Sequence, residues 1–203
     1  MPRAFSEGER AAIRERLLER GRELLGSYGL RRSNVEDFTA GAGISKGAFY
    51  LFFDSKEELF FEVLRRFEAE YQAELLLALG PADLPPRERL GAFIERAMAT
   101  WRSSPLFTRF GREEYELLAR RLPPERLAEG FQDDVAFAGR LIAAWAADGL
   151  AVRADAALLA GLMRSLFYVS LHADEFDPAI YPATIERLIG AVAADLAGPG
   201  AGE

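Results

Sequence analysis

Between Ser33 and Lys56 the sequence SNVEDFTAGAGISKGAFYLFFDSK leaves the backbone few choices. Asn34 is a strong N-cap with Asp37 three residues on to return its hydrogen bond, and Gly41 and Gly43 end the short helix that this cap starts. Ser45 caps a second short helix, Lys46 to about Phe52, whose first turn carries Lys46, Gly47 and Ala48 in place of bulky or acidic side chains. The start of that helix can therefore approach another surface closely. Ser55 with Glu58 forms a further capping box and opens a much longer helix. Val35, Phe38, Ala42, Ile44, Phe49 and Phe53 supply only a small apolar core, which is marginal alone and has to lean on neighbouring segments.

Those segments are helical too. From about Ser6 to Tyr28, Ile13, Leu17, Gly21, Leu24 and Tyr28 recur with a period of 3.6, and Gly29 is a suitable stop. Lys56 to about Leu79 presents Leu59, Phe60, Val63, Leu64, Phe67, Tyr71 and Leu75 on one face, so this long helix is shared between the N-terminal part and the rest. GPADLPP, residues 80–86, is a clear break. Helices are then expected over Arg87–Ser103, after Pro105, over Gly111–Leu122, from Pro124 to Asp148, from Asp155 to about Ala173, and after Asp177 and Pro178. The segment after Asp155 is apolar nearly all round, which calls for burial on two sides. No alternating pattern indicates a strand. The expected fold is all-α, with a three-helix N-terminal domain over residues 1–54 joined through the long shared helix to a helical domain over 55–203.

Composition narrows the chemistry. There is no cysteine and a single histidine, His172, which removes disulfides, thiolate zinc sites and multi-histidine metal sites. His172 is read as buried or pocket-lining. Acidic pairs such as Glu113 with Glu114 and Asp133 with Asp134 are consecutive and do not converge on a helix. No phosphate loop or dinucleotide fingerprint is present, no catalytic set can be assembled, and no cofactor or metal is implied. The N-terminus lacks a signal-peptide pattern, and no apolar run reaches about 18 residues without a charge, so the expected location is the cytoplasm.

The net charge of −7 argues at first against nucleic acid, but residues 1–60 hold ten basic and ten acidic side chains, and the deficit falls on the remainder. A neutral end with clustered cations can meet phosphate while the acidic remainder is repelled. Of 25 basic residues only Lys46 and Lys56 are lysines, each at a helix start, where both the ammonium and the helix N-terminus attract a phosphate oxygen. Two short helices at a Gly-containing turn have the form of a helix-turn-helix, whose second helix enters the major groove.

The run GLRRSNVEDFTAGAGISKGAFYLFFDSKEELF resembles the N-terminal signature of the tetracycline-repressor (TetR) family, written around a Gly-Val-Ser-Lys-Gly-x-x-Tyr-x-x-Phe-x-Ser-Lys-Glu core. Gly43, Ser45, Lys46, Gly47, Tyr50, Phe53, Ser55, Lys56 and Glu57 match it, with Ile44 for Val. Phe38, Thr39 and Phe52 depart from the family pattern; Phe52 in particular cannot donate a hydrogen bond. The resemblance covers about residues 8–62 and implies that Ser45, Lys46, Gly47, Ala48 and Tyr50 face DNA. Asn34 and Lys56 would clamp backbone phosphates, with Arg31 and Arg32 as flanking contacts.

The expected function is a DNA-binding transcriptional regulator: a homodimeric repressor, paired through its last two helices, that leaves a palindromic operator on binding a small, largely apolar or aromatic molecule. Phe93, Trp101, Phe107, Phe110, Trp145, Phe167 and His172 are the candidate walls for that molecule. An activator of the same fold, or a helical bundle using the motif only for protein contacts, are the alternatives.

Overall fold

A computed structural model describes residues 5–198 and contains ten α-helices and no strand among them. In order they are α1 (Glu7–Arg32), α2 (Val35–Ala42), α3 (Lys46–Phe49), α4 (Lys56–Leu76), α5 (Pro86–Ser103), α6 (Pro105–Thr108), α7 (Arg112–Arg121), α8 (Pro124–Ala147), α9 (Ala156–Leu171) and α10 (Tyr181–Ala197). Two compact units result. One comprises residues 1–68 and 104–123, the other residues 69–103 and 124–203. The dividing line on the first side falls inside α4, not at residue 54, and α6 and α7 group with the N-terminal helices although they lie far along the chain.

Side chains explain that grouping. Gly21 of α1 faces α4, and a Cβ there would come within 3.1 Å of Val63 Cγ2, so the absence of a side chain lets α1 approach α4 closely at this point. Phe60 of α4 lies with its ring 5.5 Å from that of Phe110, just before α7. Leu17, Leu25, Leu30, Phe38, Phe49, Leu59 and Phe60 are fully buried in this unit. Ser6 and Glu9 exchange side-chain hydrogen bonds with each other's backbone N–H and so close the start of α1. At its far end Gly29 takes φ 76°, a left-handed conformation that interrupts the helix where the sequence suggested a stop; one more turn follows, held by the Ser33 hydroxyl donating to Gly29 O at 2.7 Å.

The second unit has its own core. Phe93 and Trp145 meet edge to face at 4.8 Å, surrounded by Leu90, Leu141, Leu159, Leu166 and Ile189. α5 packs on α10, and α8 on α9. The break after α4 is stitched by Arg89, whose Nε donates to Leu79 O at 3.3 Å and whose terminal nitrogen donates to Asp148 Oδ2 at 2.7 Å. Arg89 is 2% exposed. Because Asp148 can return to water, Arg89→Met removes a buried charge while keeping most of the volume, and is expected to cost about 1 kcal/mol for the orphaned Leu79 carbonyl. Arg89→Ala adds a cavity and is expected to cost about 3 kcal/mol; urea unfolding of the two variants beside the parent checks the difference.

α10 starts later than the sequence suggested. Asp177 caps a separate turn, accepting from Ala179 N at 2.8 Å, and the regular helix begins at Tyr181. Among the described residues no helix is long and apolar enough to cross a membrane.

Candidate nucleic-acid interface

α2 is closed at both ends by its own sequence. Asn34 and Asp37 exchange side-chain hydrogen bonds with each other's backbone N–H, at 3.1 and 3.0 Å. Gly43 (φ 70°) ends the helix. Two residues later the Ser45 hydroxyl accepts from Ala48 N at 3.2 Å and starts α3. Phe38, Thr39 and Ala42 of α2 and Phe49 of α3 point inward. The opposite side of α3 presents Ser45, Lys46, Gly47 and Tyr50 to solvent, with Ala48 half-buried.

This exposed side is flat at its start. A Cβ on Gly47 would meet nothing nearer than Ser45 Oγ at 4.0 Å, so the backbone there is open to close approach. Lys46 Nζ lies 2.7 Å from Glu36 Oε1, with both side chains more than half exposed. That hydrogen bond holds the Glu36 carboxyl below its ordinary range and raises the Lys46 ammonium above its own. Lys46 thus pairs with a carboxylate at the start of α3, and a phosphate arriving there would replace one oxyanion by another. Tyr50 is 50% exposed, its ring edge-on to Phe49 at 5.4 Å, which leaves the hydroxyl at the surface.

The flanking candidates fare differently. Asn34 is exposed but its side-chain oxygen is used as the α2 cap. Arg31 is paired with Glu113 of α7, and Arg32 is exposed. Lys56 has partners within the domain. Its ammonium donates to Leu30 O and to Ser33 O, both at 2.9 Å, and so holds the end of α1. The sequence shows that Lys56 starts a helix but not that two unpaired carbonyls wait within reach.

The aromatic residues expected to line one pocket are not together. Phe93 and Trp145 are core partners, each 1% exposed. Trp101 lies edge-on to Phe167 at 4.7 Å and to Tyr71 at 5.8 Å, all three half-buried. Tyr71 belongs with this cluster; the α4 periodicity marked it as inward but gave no reason to group it with Trp101. Its hydroxyl donates to Ala97 O at 2.9 Å, and burial pushes its ionisation well above the ordinary tyrosine range. Phe110 instead packs in the N-terminal unit against Phe60 and Tyr115. His172 is not enclosed: it ends α9 with its side chain 40% exposed and Nδ1 3.0 Å from Glu175 Oε1. The Phe107 side chain lies outside the described residues. The Trp145 indole N–H and the Tyr181 hydroxyl are buried without a hydrogen-bond partner among the described residues.

A one-turn helix with an open, cationic start, braced from behind by a capped helix on an all-helical chain, defines a helix-turn-helix domain of the DNA-binding kind. Residues 17–63 match the family model described as bacterial regulatory proteins, tetR family. It is 34% identical over 91 residues to the HTH-type transcriptional repressor DhaR of Mycobacterium sp. (strain GP1), a match spanning 45% of this chain and 46% of that protein. The aligned part is therefore less than half the length of the curated relative. The fold extends further. A TetR-family transcriptional regulator from Pectobacterium atrosepticum superimposes with a TM-score of 0.64 at 21% identity, covering 93% of this chain and 94% of its own. The regulator RolR, solved in complex with resorcinol, does so with a TM-score of 0.60 at 19% identity over 96% and 99% of the two chains.

Proposed function

We propose that this chain is a transcriptional repressor that binds a palindromic operator as a homodimer and releases it on binding a small aromatic or largely apolar molecule. The observation that carries the reading is the two-sidedness of α3: Phe49 is fully buried while Ser45, Lys46, Gly47 and Tyr50 form an open polar edge with a fixed cation. That is the division of labour a recognition helix needs, anchoring behind and contact in front. The similarity to DhaR, a repressor, runs in the same direction.

Dimerisation draws on the last two helices. Leu158 of α9 is 50% exposed, and Leu188 of α10 is 40% exposed, so a helix pair with this much outward leucine has a face left to cover. Release by a small molecule draws on the second unit. Tyr71, Trp101 and Phe167 form an incompletely buried aromatic cluster. Resorcinol, the ligand of RolR, is a small aromatic with hydroxyl groups, a chemistry that such a set would accommodate.

Binding to genomic DNA fragments across a salt series tests the first part, with Lys46→Ala beside the parent. The parent should retain a discrete set of fragments. Lys46→Ala is expected to weaken retention about tenfold and to flatten the slope of log affinity against log salt by about one for each half-site. Equal and negligible retention by both proteins would remove the regulator reading.

A further inference from the structure

In the N-terminal unit three consecutive helices end on a cation carried by another element. The end of α1 gives Leu30 O and Ser33 O to Lys56 Nζ. The end of α2 gives Ala42 O to Arg16 Nε at 3.2 Å. The turn that prolongs α3 gives Leu51 O to the Arg10 guanidinium at 3.0 Å. The last carbonyls of a helix lack partners and carry the negative end of its dipole, so a guanidinium or ammonium satisfies both the hydrogen bond and the charge.

Of the three, the Arg10 contact sits where DNA recognition would feel it. α3 has only four regular residues, and beyond Phe49 the chain continues as turns, with Leu51 N donating to Ala48 O at 3.1 Å and Phe52 N to Phe49 O at 2.9 Å. Phe49 anchors this segment at its middle, but the Leu51 side chain is 55% exposed and holds nothing. The backbone carbonyl of Leu51 is the handle instead. Arg10 also lies 5.3 Å from the centroid of the Phe52 ring, which packs against Phe5 at 6.0 Å. Phe52, whose side chain has no hydrogen-bond donor, thereby has a use: its face seats the cation that grips the neighbouring carbonyl.

We propose that Arg10 is a positioning residue for DNA binding: from α1 it fixes the far turn of α3, so that Ser45, Lys46 and Gly47 at the near end of the same short helix keep one orientation toward the groove. This rests on the reading of α3 as the recognition helix. Arg10 is itself exposed on a helix, so its loss costs the fold little, and its effect is on the direction in which α3 points. A misdirected recognition element loses base-edge contacts, while the charges that meet phosphate all stay at the interface.

The test compares the full chain with Arg10→Ala, Arg10→Lys and Lys46→Ala on the fragments retained by the parent. Arg10→Ala is expected to bind about tenfold more weakly with a salt slope unchanged from the parent, because no phosphate contact is removed. Lys46→Ala should lower both affinity and slope. Arg10→Lys should recover most of the loss, since an ammonium can still reach Leu51 O over the Phe52 ring. Hydrogen exchange in the DNA-free protein supplies a second readout: Arg10→Ala should speed exchange at Phe52 and Phe53 while Leu17 and Leu59 stay protected, whether or not DNA is bound by any form. Parent-like affinity in Arg10→Ala, or parent-like exchange at Phe52 and Phe53, overturns the proposal. So does a slope that flattens as it does in Lys46→Ala, which would make Arg10 a phosphate contact. A parent that retains no DNA while the exchange difference appears counts against the regulator reading and leaves the brace on α3 standing.

Discussion

Replacing Phe49 by alanine is expected to lower the stability of the protein by about 3–5 kcal/mol, the cost of deleting a fully enclosed aromatic side chain and leaving its cavity. Phe49 is 0% exposed, with Phe53 5.9 Å away and Tyr50 edge-on to it. α3 has no other fully buried side chain, so nothing else on the helix can take over the anchoring. Against a total of about 5–15 kcal/mol for a native domain, the loss is large enough to leave the motif unfolded or molten near 37 °C. Tyr50→Ala, one residue on, is the control. With half of its surface already in water, Tyr50 should cost less than about 1 kcal/mol on removal, yet weaken retention of DNA by the folded protein. Urea unfolding and fragment binding on the two variants separate anchor from contact. Equal destabilisation by both would mean that α3 is not two-sided, and the proposed division of its faces would go with it.

The features legible in the sequence were those whose cause is local. Asn34 with Asp37, Ser45 before Ala48, Gly43 at φ 70°, Pro105 at the start of α6, and Gly111 before α7 each act within about four residues, and each is found where the sequence placed it. Ile13, Leu17, Gly21 and Leu24 are inward as the period of the apolar residues placed them, whereas Tyr28 on the same period is 59% exposed. What the sequence did not carry was pairing between segments distant along the chain. Nothing around Lys56 says that it reaches back to Leu30 O, or that Arg31 meets Glu113. Phe110 shares helical spacing and aromatic character with the second-unit aromatics, yet a residue's periodicity does not say which core it enters, and it packs on Phe60. His172 illustrates the same limit from the other side. It terminates α9, where the backbone leaves the bundle, and its imidazole turns to Glu175 on the next turn. Phe52 is the instructive departure: by family resemblance it lacked a donor, and its ring instead takes a guanidinium on its face.

The largest functional effect is expected at a residue that touches neither DNA nor a ligand. If the exposed leucines of α9 and α10 cover each other across a two-fold axis, Leu188→Arg places an unpaired charge where two copies meet and separates them. Leu188 is 40% exposed in the single chain, so the substitution should leave the fold of each copy within about 0.5 kcal/mol of the parent. Its consequence appears only on DNA. One recognition helix engages one half-site, and linking two copies makes the second engagement intramolecular, multiplying affinity by about 10²–10⁴ with no new contact. Leu188→Arg should therefore sediment at half the parent mass and lose operator affinity by about that factor, and its salt slope should fall by half because half as many phosphates are neutralised per binding event. Leu77→Arg serves as the comparison. Leu77 is 90% exposed just beyond α4, a lone leucine outside the last two helices, and the change there should alter neither mass nor affinity. A Leu188→Arg protein that keeps the parent's mass and its full affinity would place the subunit contact elsewhere, and the exposed leucines of α9 and α10 would then need another partner.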